Sequence, residues 1–362
     1  MLPHQIAGEQ HITRGRLPRM PPLSVLKHIA TADHLWSALP VERGIIMQIN
    51  LGRWATRTFA WLLFVLGFVA SASAQSPQGG APVAFSSINS AGATVPLRGL
   101  LYTPQGAPKG AVVLMHGSSG WNDYREGHYA RALMEHGYVA LAVDSFGPRG
   151  IGSTGEDQKQ LGMGDNILDA FAARRHLISL GYPADRIAVM GFSRGGAVAL
   201  RAADRTFRPE EKDRFAVAIP FYPPCNDRPR QPKPASIVFM ALGEKDDYTG
   251  VKPCHDIATD FAAAGGKITV KVYPDSTHAF DGNPANTRMV RVPVENYIDC
   301  ILYIEPDGGM TYGGQTLPAG DMAIFDLLRK SCVKKGASIW SNPRQKEIAT
   351  RDAIDFLDAN LR

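Results

Sequence analysis

The stretch that limits this chain most is residues 186–196. A short apolar run, Ile187, Ala188, Val189 and Met190, leads there into Gly191-Phe192-Ser193-Arg194-Gly195-Gly196. Four apolar residues, two of them β-branched, predict a buried strand. Ala197, Val198, Ala199 and Leu200 then open a helix. G-x-S-x-G between a strand and a helix is a nucleophile elbow, a sharp turn that lifts the serine hydroxyl into a cleft. A side chain at 191 or 195 would crowd that turn, and glycine removes it. The helix start behind Ser193 directs free N–H groups and its positive dipole end at any negative oxygen forming there. The plainer alternative is a glycine-rich loop before a Rossmann-type helix, and the partners found downstream argue against it.

Strands and helices alternate around the elbow. Apolar runs at 111–115 and 138–143, with further strands at 215–220, 236–242 and 268–273, fit strands buried on both faces of a parallel sheet. Strands at 83–88 and 97–103 precede them. Helices are expected at 124–136, 165–180, from the elbow to about 206, at 254–264 and at 343–360. This order predicts an α/β fold of the α/β-hydrolase kind, a mostly parallel doubly wound sheet with helices on both faces. In such folds the loop after strand 111–115 supplies one oxyanion N–H, and the residue after the nucleophile supplies the other. Here these are Ser118 or a neighbour, in His116-Gly117-Ser118-Ser119-Gly120, and Arg194. Read alone, the first loop is also a plain tight turn. The polar, Gly-rich stretch 147–164 falls at the carboxyl end of the sheet, where ligands bind. Arg149 lies in it and is a candidate partner for a substrate carboxylate. The alternative is a solvated loop arginine.

A serine hydroxyl needs a base, and the base needs an orienting carboxylate. In this fold they follow in the order serine, acid, histidine. After strand 236–242 stand Asp246 and Asp247, and after strand 268–273 stands His278. Both sites follow strand ends and so face the same rim as Ser193. His278 is the expected base and Asp246 the expected acid. Asp247 competes with Asp246, and Asp275 is a more distant candidate. His116 borders the oxyanion loop and is expected to shape it. His128, His136, His176 and His255 fall on predicted helices.

Taken together, His116-Gly117-Ser118-Ser119-Gly120, Gly191-Phe192-Ser193-Arg194-Gly195-Gly196, Gly243 with Asp246, and Ser276-Thr277-His278-Ala279-Phe280 resemble the dienelactone hydrolase family. The resemblance covers about residues 95–280 and the last helix. It implies the fold, the triad and hydrolysis of an ester or lactone, a small-molecule substrate, by acyl transfer without cofactor or metal. It leaves the substrate itself open. Dienelactone hydrolases proper carry a cysteine nucleophile, where this chain has Ser193. They also carry a gating glutamate where His116 or Gly117 stands, they are cytosolic, and they lack a counterpart of residues 281–342. The competing readings are a peptidase of related fold and a non-catalytic binding protein. An intact triad argues against the binder, and 281–342 is small for a segment that must read a peptide.

The 362 residues, 44% hydrophobic and 20% charged, are ordinary globular composition. A net charge of +5 without a basic, aromatic-interleaved stripe gives no case for nucleic acid. Residues 47–74 read as a signal peptide. Arg53 and Arg57 precede an apolar run at 59–70, and Ala72-Ser73-Ala74 makes a small-residue cleavage site. The run is shorter than the ~20 residues of a bilayer span, so no stable membrane span is expected after cleavage. The expected mature chain, 75–362, is then exported, periplasmic or secreted. Residues 1–46 become an extension that is non-native or disordered. The four cysteines all follow residue 75 and contain no C-x-x-C. In an exported chain they are expected to form disulfides. Cys225 and Cys254 sit on rim loops after neighbouring strands and are expected to pair. Cys300 and Cys332 both fall in the 281–342 insertion, where a helix is expected at 321–335, and would close it on itself.

Overall fold

The computed structural model describes residues 79–208 and 211–361. The extension 1–46 and the signal segment 47–74 lie outside the described residues. Within the described part, the alternation inside each strand sorts the core into two layers. In β3 (Gly110–Met115), Ala111, Val113 and Met115 point to one face, and Val112 and Leu114 to the other. The same split recurs in β4 (Tyr138–Asp144), β5 (Ile187–Phe192) and β8 (Ile237–Gly243). Successive side chains of a strand leave on opposite faces, so a continuous apolar run requires cover on both. Helices α2 (Met163–Ser179), α3 (Arg194–Ala202) and α4 (Val251–Ala263) cover the first face. Helices α1 (His128–Glu135) and α6 (Pro343–Asn360) cover the second.

Eight strands form the sheet, in the order β1-β2-β4-β3-β5-β6-β8-β9. The hairpin of β1 (Ala81–Ile88) and β2 (Thr94–Tyr102) is antiparallel, and β2 is antiparallel to β4. From β4 onward every pairing is parallel, through β6 (Val217–Phe221) to β9 (Ile268–Tyr273). The ends of β3, β5, β8 and β9 therefore open onto one rim.

The insertion is less regular. β10 (Val290–Asn296) pairs antiparallel with β14 (Lys334–Ile339). β11 (Leu302–Ile304), β12 (Met310–Tyr312) and β13 (Gln315–Leu317) form a four-stranded sheet with β7 (Asp227–Pro229). The helix expected at 321–335 is shorter, α5 (Ala323–Ser331). Cys332 leaves helical geometry at φ −141°, is bound to Cys300, and hands the chain on to β14. Both disulfides join the cysteines paired from sequence, Cys225–Cys254 and Cys300–Cys332. Helix α2 starts two residues before the expected 165, and Asp165, in its first turn, accepts the backbone N–H of Ser90 at 2.7 Å.

Candidate active site

Ser193 sits between β5 and α3 with φ 54° and ψ −114°, a backbone state that non-glycine residues avoid. The surroundings impose it. The Ser193 N–H donates to Phe221 O at 3.0 Å, and its carbonyl takes the N–H of Ala197 at 2.8 Å. A Cβ on Gly191 would lie 2.0 Å from Gly195 O, and one on Gly195 would lie 2.0 Å from Met115 O. Only glycine lets the turn close this tightly against β3.

Ser193, His278 and Asp246 form a line. His278 Nε2 lies 2.8 Å from Ser193 Oγ, and Nδ1 lies 2.9 Å from Asp246 Oδ2. All three are buried. Asp246 Oδ1 accepts the N–H groups of Tyr248 and Thr249 at 2.8 and 2.9 Å, and Oδ2 accepts Thr249 Oγ1 at 2.7 Å. Burial pushes the Asp246 carboxyl up, but the His278 ring and the Thr249 hydrogen bonds outweigh it and hold the group below its ordinary value. An ionised Asp246 only accepts, so Nδ1 of His278 carries the proton. Nε2 of the neutral ring is then the acceptor for the Ser193 hydroxyl. The His278 ring is held edge-on by Tyr222 and Tyr248, with centroids at 4.8 and 4.6 Å.

The competing acids face elsewhere. Asp247 accepts from the N–H and Oγ of Ser338, both at 2.8 Å, and so ties the acid loop to β14. Asp275 is exposed and pairs with Lys245. His116 accepts the N–H of Ser145 at Nε2, 3.2 Å, which leaves Nδ1 to donate to Gly117 O at 2.8 Å. Burial lowers its pKa, and it braces the loop as a neutral ring. His128 begins α1, His136 caps that helix, His176 lies in α2 and His255 in α4.

The loop after β3 passes against the serine, for a Cβ on Gly117 would be 3.6 Å from Ser193 Cβ. Ser118, the next residue, gives its carbonyl to Thr154 N–H at 2.8 Å. Arg194 is the first residue of α3, where backbone N–H groups have no partner within the helix. The Arg194 side chain is buried and donates to neutral acceptors only: Gln158 Oε1 at 2.7 Å, Asn166 Oδ1 at 3.1 Å and Leu161 O. Burial, aided by Arg201, pulls its pKa down to about 10.

Arg149 is not the free cation expected from the sequence. It borders the cavity in front of Ser193, but its guanidinium does not reach for a ligand. The two Nη atoms bind the buried Asp169 carboxylate at 2.8 and 2.9 Å, and Nη1 also donates to Ser145 O at 2.6 Å. A buried carboxylate demands such a partner. The arginine is neither solvated nor free for a substrate.

That cavity measures about 950 Å³ and reaches from Ser193, Arg194 and Tyr248 to the insertion. Among the described residues no cluster of three or more metal-ligating side chains is present. Thr249, Tyr248 and Tyr222 were not singled out from sequence. Thr249 alone carried a signal, since Asp followed three residues later by Thr favours a local side-chain turn.

The model of the dienelactone hydrolase family matches residues 97–294 of this chain. The chain belongs to the dienelactone hydrolase family. Membership makes it a hydrolase of small molecules. Similar solved structures include a putative dienelactone hydrolase from Klebsiella pneumoniae, 20% identical over 55% of this chain and 88% of that one, with a TM-score of 0.43. A thermophilic esterase from Thermogutta terrifontis is 18% identical over 57% and 85%, TM-score 0.43. A dienelactone hydrolase-like promiscuous phosphotriesterase from metagenomic libraries is 19% identical over 56% and 85%, TM-score 0.41. No curated protein matches the chain. Within this family, the present member has its serine on the elbow and an insertion that continues beyond the matched residues.

Proposed function

We propose that this chain is an exported serine hydrolase that cleaves carboxylic esters or lactones through an acyl-enzyme. The observation that carries the reading is the hydrogen-bonded line from Ser193 through His278 to Asp246, at 2.8 and 2.9 Å. His278 Nε2 takes the Ser193 proton as Oγ attacks the carbonyl carbon. The N–H groups of Arg194 and of Ser118 or its neighbour receive the negative oxygen. His278 returns the proton to the leaving alcohol, and water activated by the same nitrogen releases the acid. Export is supported by the signal-like segment 47–74 and by two disulfides, which persist in oxidising compartments.

Labelling by a fluorophosphonate tests the nucleophile. The expected adduct is on Ser193, with turnover of p-nitrophenyl acetate lost in parallel. A labelled residue other than Ser193, or turnover that survives full labelling, overturns the reading. N-terminal sequencing of the protein recovered outside the cytoplasm tests export, and Gln75 is the expected first residue.

A further inference from the structure

The cavity has two walls of different origin. The near wall comes from rim loops of the sheet: Ser118, Arg194 and Tyr248. The far wall comes from residues after 294, where the family match ends. The insertion uses some of its apolar residues on itself. Leu302, Ile304, Ile324 and Leu328 are buried with Cys300 in a small core of its own. Tyr297, Ile298, Met310 and Phe325 stay only half-buried, and all four line the cavity. Apolar surface held open beside a nucleophile is unfavourable in water and favours whatever covers it.

This wall is fixed in place. β11 runs parallel to β7, Leu302 beside Asp227 and Ile304 beside Pro229. On the other side Lys159 binds Asp326 at 2.9 Å, and Arg329 binds Glu295 at 2.6 Å and also Asp157, from the 147–164 loop. The insertion also grips the base. Thr277 Oγ1 donates to Trp340 O at 3.1 Å and accepts from Trp340 N at 2.9 Å, and His278 pairs with Ile339. The gap between the walls is therefore preformed. At about 950 Å³ it lies near the top of the ~300–1,000 Å³ that drug-sized ligands occupy, far more than an acetyl group fills.

We infer that the insertion selects esters bearing one large apolar arm, a medium-length alkyl chain or an aryl ring, which lies against Ile298 and Phe325. The inference rests on the serine hydrolase reading above. Each methylene moved from water onto such a wall favours binding by about fourfold until the wall is covered.

The test uses the intact, disulfide-bonded protein with p-nitrophenyl esters from acetate to decanoate, and with alkyl butyrates of growing alcohol. In at least one series kcat/KM is expected to rise ten-fold or more from the shortest member to the eight-carbon member. Phe325→Ala should lower that ratio at least ten-fold, chiefly through KM. Ile298→Trp fills the gap without opening the insertion core and should lower it too, which guards against misfolding of the first variant. A wild type that prefers the shortest ester in both series, or a ratio indifferent to both substitutions, overturns the inference. Fluorophosphonate labelling separates the two failures. If Ser193 is labelled and acetate is turned over without chain preference, only the wall assignment falls. If no ester is cleaved and Ser193 is not labelled, the hydrolase reading falls with it.

Discussion

The eight-stranded sheet and the 281–342 insertion stand on opposite sides of one cavity and are held together by different means. The sheet carries its own stability in two apolar layers, each covered by helices. Its strands end in short loops that fix Ser193, Asp246 and His278. The insertion buries only five residues in its core, one of them Cys300. It adds a disulfide, a shared strand with β7, and ion pairs to the 147–164 loop. A segment with so little apolar surface to bury needs such fasteners. On the reading proposed above, the triad comes from the part that packs well, and the wall facing the substrate comes from the part that is tied down. Substitutions in the first should strike kcat, and those in the second KM.

The largest effect tests the sheet side. Ser193→Ala is expected to lower kcat on a p-nitrophenyl ester by about 10⁴ to 10⁶ with the melting temperature unchanged. Asp246→Asn should cost ~10⁴, because the ring loses the partner that fixes its tautomer. Asp247→Asn should cost at most about ten-fold, since it breaks a tie to Ser338 and not a contact with the base. If Asp247→Asn proved the worse of the two, the acid would move from the sheet's loop to the residue that holds the insertion, and the comparison would fail.

Next comes Arg149, which belongs wholly to the sheet side. Arg149→Ala leaves Asp169 buried without its cation, and loss of about 3–5 kcal/mol is expected in urea unfolding. The ratio of activities on neutral and carboxylated esters should not move. A selective loss on carboxylated esters would make Arg149 a binding residue of the cavity it borders.

The insertion's disulfide ranks third. Cys300→Ser combined with Cys332→Ser should cost ~2–4 kcal/mol of local stability. It should appear as faster proteolysis within 281–342 and a raised KM. If kcat fell more than KM rose, the insertion would be supporting the base through Trp340 rather than lining the cavity.

These two regions also differ in how far they could be read from sequence. The sheet was legible because burial on both faces forces continuous apolar runs, and the elbow because its glycines admit no other residue. The order of serine, acid and histidine then followed from strand ends. The insertion was not legible to the same degree. β11, β12 and β13 have three residues each, too few to show a period, and β14, which overlaps the expected helix 321–335 only at Lys334 and Lys335, was not expected as a strand. Asp246 and Asp247 are adjacent, and only their partners, His278 and Ser338, tell them apart. Arg149 was misjudged because its partner, Asp169, lies a full loop away on α2.

The smallest expected effect separates the two regions by pH. His128, at the start of α1, contacts Thr350 Oγ1 of α6 at 3.0 Å and so bridges the two helices on the second face of the sheet. Burial, reinforced by the nearby Lys346 and Arg131 cations, lowers its pKa to about 4, against ~6.5 for a free imidazole. Above ~6.5 the ring is neutral in both folded and unfolded chains, and it leaves stability independent of pH. As the pH falls below that value the unfolded chain takes the proton first, and stability declines until the folded ring is also protonated near 4. His128→Gln keeps a polar group for Thr350 and removes the titration. The difference in urea midpoint between pH 7.5 and pH 5.0 should therefore be smaller in the variant than in the wild type. Proteolysis of 281–342 should show no such change, because the disulfide and the ion pairs that fasten that segment, Lys159–Asp326 and Arg329–Asp157, do not include His128. An equal pH response in wild type and variant would mean that acid loosens some other part of the chain, the insertion included.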